Sequence, residues 1–276
     1  LSDGLELLGM AGDNLTFGAG ALGLYWVAGP AIKAVGASFG EWTKSRMDNV
    51  LSIGEKVARR VGADAPDDGQ SVPPRVFYEV LNEGSWISDD VQQEYLAGLL
   101  IASRTPLGKN DDGAYYARLV TGMTSNQIRF HHAIYDAILR QAQPFMIGVA
   151  VEAQQNCVWA PIDASVGVVA PEDADSLEAV VTATVVGLER LQLADSPGVG
   201  SPSILRHLSD RPVNQDAMVL AARPAGASLF MWAHGMRSSD QDRLFELRGR
   251  PPLGPTFSEF YISSASITPD GLAAVI

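Results

Sequence analysis

Few residues in this chain are of types able to do acid–base, nucleophilic or metal chemistry. There are four histidines (His131, His132, His207, His234), one cysteine (Cys157) and short acidic pairs at Asp67-Asp68, Asp89-Asp90 and Asp111-Asp112. A catalytic triad needs a nucleophile, a base and an orienting group within hydrogen-bond reach, and the dispersed histidines define no such set along the chain. His131 and His132 are neighbours, but adjacent helical residues point about 100° apart, a poor geometry for one metal ion. Cys157 lies between Asn156 and Val158 with no base nearby in sequence, so it reads as a buried thiol rather than a nucleophile. The acidic pairs fall at helix starts or in loops, where helix dipole and solvation account for them, and Asp111-Asp112 lacks the rest of a calcium-loop pattern. The chain contains no Gly-x-x-x-x-Gly-Lys-Ser/Thr loop, no Gly-x-Ser-x-Gly elbow and no His-Glu-x-x-His. The residues therefore point to a non-enzyme, with no catalytic, cofactor-binding or metal-ligating residue assigned and no cofactor expected.

With 276 residues, 46% of them hydrophobic, the chain can bury a real core as one large domain or two smaller ones. Twenty basic residues against 32 acidic ones disfavour a general nucleic-acid binder, whose affinity is built largely on phosphate neutralisation. A single cysteine excludes an internal disulfide framework and any multi-cysteine zinc site, which points to a reducing, cytoplasmic setting. Leu1 stands in place of an initiator Met, so truncation and a lost signal peptide both stay open, although nothing in the first ten residues reads as one.

The elements that would position any site are mainly helical. Val72–Leu100 carries two helix starts and two apolar faces. Pro73-Pro74 opens the first, Val76, Phe77, Val80 and Leu81 form its stripe, and Gly84 stops it. Ser88-Asp89-Asp90 then caps a second helix, whose face is Val91, Tyr95, Leu96, Leu99 and Leu100. Before this hairpin, 31–60 is amphipathic and carries six basic residues against three acidic ones. Its basic stripe, with Lys33, Lys44, Arg46, Lys56, Arg59 and Arg60, reads first as a solvated helix face, and alternatively as a contact for anionic lipid or an acidic partner. The run 15–39 is the most apolar stretch. At roughly 20 residues or more it is long enough to span a bilayer, but Pro30, Lys33 and five glycines favour a buried or oligomer-facing helix instead.

After the hairpin, 114–143 predicts two helices, the second capped by Thr124 or Ser125 and ended by Pro144. Residues 145–171 predict one or two short strands, and 172–193 a helix with Glu172, Asp173 and Asp175 at its start. The run 194–217, with Pro197, Gly198, Gly200, Pro202 and Pro212, reads as a long loop holding a short helix at 204–208. A strand at 218–220, a helix at 225–234 closed by Gly235, a proline-rich turn at 248–255 and a last strand within 256–267 complete the chain. The expected fold is mainly α, a multi-helix domain with a small α+β C-terminal part resembling a winged helix. Its divisions are 1–64 (apolar glycine-rich segment and basic helix), 72–143 (helical core), 144–235 (mixed part) and 236–276 (proline-containing tail).

Several of these segments resemble the Abi-alpha family. They are Gly29-Pro30-Ala31-Ile32-Lys33 before the basic helix, Val72-Pro73-Pro74, Asp89-Asp90 ahead of Tyr95-Leu96-Ala97-Gly98-Leu99-Leu100, and Pro224-Ala225-Gly226-Ala227-Ser228-Leu229-Phe230-Met231-Trp232-Ala233-His234-Gly235. The resemblance spans about 29–143 and 182–235. The chain departs from the pattern at Ala222-Arg223, where a threonine is common, and by a long insert between Leu193 and Met218. The resemblance implies a bacterial or phage-encoded protein associated with abortive phage infection, with no established active site to carry over. The leading expectation is a non-catalytic helical interaction or assembly protein, with protein partners or self-association. Two alternatives are a membrane-active effector inserting 15–39, and a winged-helix-like regulator holding nucleic acid with Arg190, Arg206, Arg211 and Arg223, the last disfavoured by the net charge of −12.

Overall fold

A computed structural model describes residues 44–62, 68–169, 176–206, 208, 213–238 and 240–265. The apolar run 15–39, with Lys33, lies outside them, as do Glu172, Asp173, Asp175, His207 and Arg211. The protein is mostly helical, with a small antiparallel sheet in its C-terminal half. Among the described residues no helix is long and apolar enough to cross a membrane. Two compact units divide the described chain after Met123, and Trp232–Arg237 group with the first.

The first unit consists of α1 (Lys44–Val61), α2 (Pro74–Gly84), α3 (Asp90–Ala102) and α4 (Gly113–Gly122). Proline in the first turn of α2 gives up only an N–H that has no helical partner, and Val76, Phe77, Val80 and Leu81 are buried as their spacing predicts. Of the three candidate caps of α3, Asp89 does the capping, accepting the Gln92 amide at 2.9 Å. Ser71 and Thr105 exchange two backbone hydrogen bonds of 3.0 Å and so close the base of the α2–α3 hairpin.

α3 is more enclosed than its apolar stripe predicts. It packs against α1, α2 and α4, and Gln92, Gln93 and Glu94 are buried along with its leucines. A helix with neighbours on three sides has no solvent face to give its polar residues, so they must be satisfied inside. Gly98 is where this helix comes closest to other backbone: a Cβ there would stand 1.6 Å from the Ala233 carbonyl oxygen.

The second unit opens with α5 (Ser125–Gln141). Thr124 and Gln127 form a reciprocal capping box at its start, the Gln127 amide donating to the Thr124 hydroxyl at 3.2 Å and the Thr124 amide to the Gln127 side chain at 2.9 Å. It continues through α6 (Ala150–Gln155), β1 (Cys157–Pro161), a 3₁₀ turn at Asp163–Gly167, α7 (Leu177–Arg190), β2 (Ala194–Gly200), α8 (Pro202–Leu205), β3 (Ala217–Ala222), α9 (Pro224–Ala233, of which Trp232 and Ala233 belong to the first unit), a 3₁₀ turn at Gln241–Leu247 and β4 (Tyr261–Ser263). The strand order is β2-β3-β1-β4, antiparallel throughout. α5 lies against β1, β3 and β4. On the opposite face Cys157, Trp159, Ala217, Val219 and Ala221 form a core with Leu205 and Ala265. Both central strands are buried residue after residue, because each face of the sheet is covered.

The segment read as a loop at 194–217 instead begins with β2. Its register against β3 shifts between Asp195 and Gly198, so Ser196-Pro197 sits at a bulge on an edge strand. An edge bulge is one of the few strand positions where proline loses no ladder bond. The start of α7 also differs: Ser176 caps it, accepting the Ala179 amide at 3.1 Å.

Candidate functional site

Along Lys56–Arg60 the basic stripe of α1 turns its cations toward α3, with Lys56 and Arg60 largely enclosed and Arg59 still 63% exposed. Lys56 reaches Asp90 at 2.7 Å, with its own side chain only 7% exposed. Arg59 and Arg60 both pair with Glu94, and Arg60 further donates to the Glu94 carbonyl at 2.8 Å and the Ala233 carbonyl at 2.7 Å. Ser52 donates to the Gln93 side chain at 2.7 Å, and Gln92 to the Val120 and Met123 carbonyls at 2.8 and 3.1 Å. Burial pulls the Arg60 guanidinium below its ordinary range, and the charge and hydrogen bond of Glu94 oppose this. One turn of α1 therefore clamps the polar turn of α3. At the other end of α1, Arg46 lies 4.0 Å over the ring of Trp86 and donates to Ser85 at 3.0 Å.

In the second unit, His131 and Tyr135 stand one turn apart on α5 and share an aromatic cluster with Phe230 of α9. His131 donates from Nε2 to the Gly226 carbonyl at 3.1 Å, and burial pushes its pKa down to about 3, so the ring is neutral. The Tyr135 hydroxyl lies 2.7 Å from the Leu193 carbonyl and 2.9 Å from that of Arg223, and it accepts the Arg223 amide at 2.9 Å. Burial pushes its pKa up. Gly226 leaves room for this latch, since a Cβ there would fall 2.2 Å from the hydroxyl and 2.1 Å from the Leu193 carbonyl.

His132 is buried too, with neither ring nitrogen in a close hydrogen bond among the described residues and the Gly254 backbone as a polar neighbour. Burial lowers its pKa. Cys157 is fully enclosed, with its thiol donating to the Ala153 carbonyl at 3.3 Å and its pKa pushed up to about 12, which removes the thiolate at neutral pH. Among the described residues no three His, Cys, Asp or Glu side chains gather closely enough to hold a metal ion.

The acidic pairs are engaged beyond caps and solvation. Asp68 binds the Arg104 guanidinium at 2.6 and 3.0 Å, Asp90 holds Lys56, and Asp112 faces Arg237 at 3.4 Å. Of the arginines considered for nucleic acid, three are described: Arg223 pairs with Asp195 at 2.6 Å, Arg206 is exposed beside α8, and Arg190 lines an open cleft of about 700 Å³ along α7 with Gln127, Glu178 and Thr182.

α2 and α4 pack side by side and carry two exposed ion pairs on their outer face. Arg75 of α2 meets Asp111 at 2.7 Å, and Arg118 of α4 donates from Nε to Glu79 at 2.8 Å. The hydrogen bond and charge of Glu79, and more weakly the charge of Asp111, hold the Arg118 guanidinium above its ordinary range. Next to these ion pairs in sequence are two exposed rings, Tyr78 of α2, 47% exposed, and Tyr115 of α4, 64% exposed. Compared with family models, with curated proteins and with solved structures, the chain gives no match in any of the three.

Proposed function

We propose that this chain is a non-catalytic, mainly helical interaction protein of bacterial or phage origin that works through assembly, in phage defence or a related process. The observation that carries this reading is a contrast in burial. His131, Tyr135, Cys157 and Glu94 are enclosed and held by internal partners, whereas Trp86, Tyr115 and Tyr78 are 67%, 64% and 47% exposed. Large aromatic side chains contribute heavily to protein interfaces, because they bury much surface at little conformational cost. The Abi-alpha resemblance of 29–143 and 182–235 supplies the biological setting. The test is phage challenge of a bacterial host expressing the chain. Fewer plaques with early loss of infected cells is the expected result, and unchanged plating across a broad phage panel would sink the proposal.

A second reading rests on the apolar length of 15–39: membrane activity through that segment. Flotation with anionic vesicles tests it, and a protein that stays at the bottom of the gradient removes it.

A further inference from the structure

The outer face of α2 and α4 carries four charges in alternation. Along α2, Arg75 is followed one turn later by Glu79; on the other side, Asp111 lies just before α4 and Arg118 within it. Arg75 meets Asp111 and Glu79 meets Arg118, so plus and minus alternate around a quadrilateral of zero net charge. Tyr78 stands one turn after Arg75 on α2 and Tyr115 one turn before Arg118 on α4, and both rings are exposed.

An alternating quadrilateral has a particular symmetry. When the face is turned over onto a second copy of itself by a two-fold axis lying along the helices, Arg75 meets the other copy's Asp111 and Glu79 meets its Arg118. With the axis across the helices, Arg75 meets Glu79 and Asp111 meets Arg118. Every cross-contact is attractive in both cases. A two-fold interface must be complementary to itself, and a face of one charge sign repels its own copy. Each charge also keeps its partner within its own copy, so docking buries no lone charge.

We propose that the α2–α4 face is a homotypic docking surface, on which a second copy of this chain seats against the four charges, with the exposed rings of Tyr78 and Tyr115 beside them. The inference rests on the reading of the chain as an assembling protein and names the partner for it. The association weakens with salt, since the charges are exposed and the Debye length falls from about 10 Å at 0.1 M to about 3 Å at 1 M.

Light scattering of the full chain at increasing concentration, in low and high salt, tests the proposal with three variants. In Arg75→Glu/Arg118→Glu all four charges are acidic, and in Glu79→Arg/Asp111→Arg all four are basic. The wild type is expected to form a dimer. Each charge variant alone stays monomeric, and an equimolar mixture of the two dimerises, whichever two-fold axis operates. Tyr78→Ala/Tyr115→Ala weakens the wild-type association at least tenfold. All six positions are at least partly exposed, and far-UV circular dichroism verifies that the variants fold. A wild type that remains monomeric overturns the proposal, whether residues 1–43 or a different protein holds the face. So does a mixture that stays monomeric, and so do charge variants that dimerise as the wild type does. In that last case assembly uses another surface, and phage protection by the chain still tests the functional reading on its own.

Discussion

α3 of the first unit and α5 of the second are each buried along most of their length, yet their polar side chains reach neighbouring elements by different means. On α3 the interior holds charge: Glu94 sits against Arg59 and Arg60, with the Arg60 side chain 18% exposed. On α5 one charged pair, Asp136 with Arg140 at 2.8 Å, stays within the helix, and the groups that reach other elements are neutral: His131 and Tyr135 bond to main-chain carbonyls of α9 and of the segments flanking β2 and β3. The difference follows from the neighbours. α3 packs against α1, whose basic residues bring long flexible cations, whereas His131 and Tyr135 of α5 meet main-chain groups of Gly226, Leu193 and Arg223. A charged interior depends on both partners being present, and a neutral one on the precise approach of backbone.

The largest expected effect breaks the charged side of this contrast. Glu94→Gln keeps the shape but leaves the Arg60 guanidinium buried without its counter-charge, and removing one member of such a pair typically costs about 3 to 5 kcal/mol. Urea denaturation gives the size, and amide exchange should place the opening in α1 and α3; unchanged exchange there would contradict the assignment. Gly226→Ala probes the neutral side. Its Cβ would strike the Tyr135 hydroxyl and the Leu193 carbonyl, and such overpacking costs about 1 to 3 kcal/mol. Tyr135→Phe leaves the Leu193 and Arg223 carbonyls and the Arg223 amide without the hydroxyl, for a loss of about 2 kcal/mol by the same titration. A loss under a few tenths would show that water replaces the latch.

A pH series sharpens the comparison further. The folded-state pKa of His131 is about 3, below its ordinary value of 6.5. Between these two values the unfolded chain binds more protons than the folded one. The stability associated with the neutral ring is therefore complete above about pH 6.5 and is lost as pH falls toward 3, at about 1.4 kcal/mol per pH unit for one such group. His132, whose pKa is lowered by the same burial, steepens the loss. His131→Gln should reduce the slope, and an unaltered slope would reassign the effect. The smallest expected effect concerns Cys157, which should resist iodoacetamide at pH 8 in the folded protein and react fully in urea. Rapid labelling without denaturant would contradict its enclosure.

Local signals made much of the helical framework legible. Pro73-Pro74, Gly84, Asp89, Thr124 and Gly235 mark helix ends through chemistry confined to a few neighbouring residues, and the structure uses each one. Gly235 takes a φ of 77° just past α9, the left-handed conformation that glycine adopts without strain. β2 was hidden because Pro197, Gly198 and Gly200 carry a loop signature, and only pairing with β3 along an exposed edge gives them a strand role. The polar core of α3 left a faint trace, Gln92-Gln93-Glu94 inside an apolar helix, but nothing adjacent named the partners. For Tyr135 the one available clue was Gly226, a glycine within an apolar helix of the kind that marks close approach.

Taken alone, the amino-acid sequence determined where helices begin and end, which of their residues are apolar, and how few groups could do chemistry, because these depend on side-chain type and on contacts within one or two turns. Tertiary structure decided what the polar residues do. Arg60 and Glu94 lie 34 positions apart, and Tyr135 and Arg223 lie 88 apart. Across such separations a basic stripe that looks solvated and one that clamps a buried carboxylate have the same sequence pattern, and only packing of the helices distinguishes them. The same holds for the α2–α4 face, whose alternating charges are ordinary along each helix and become self-complementary once the two helices stand side by side.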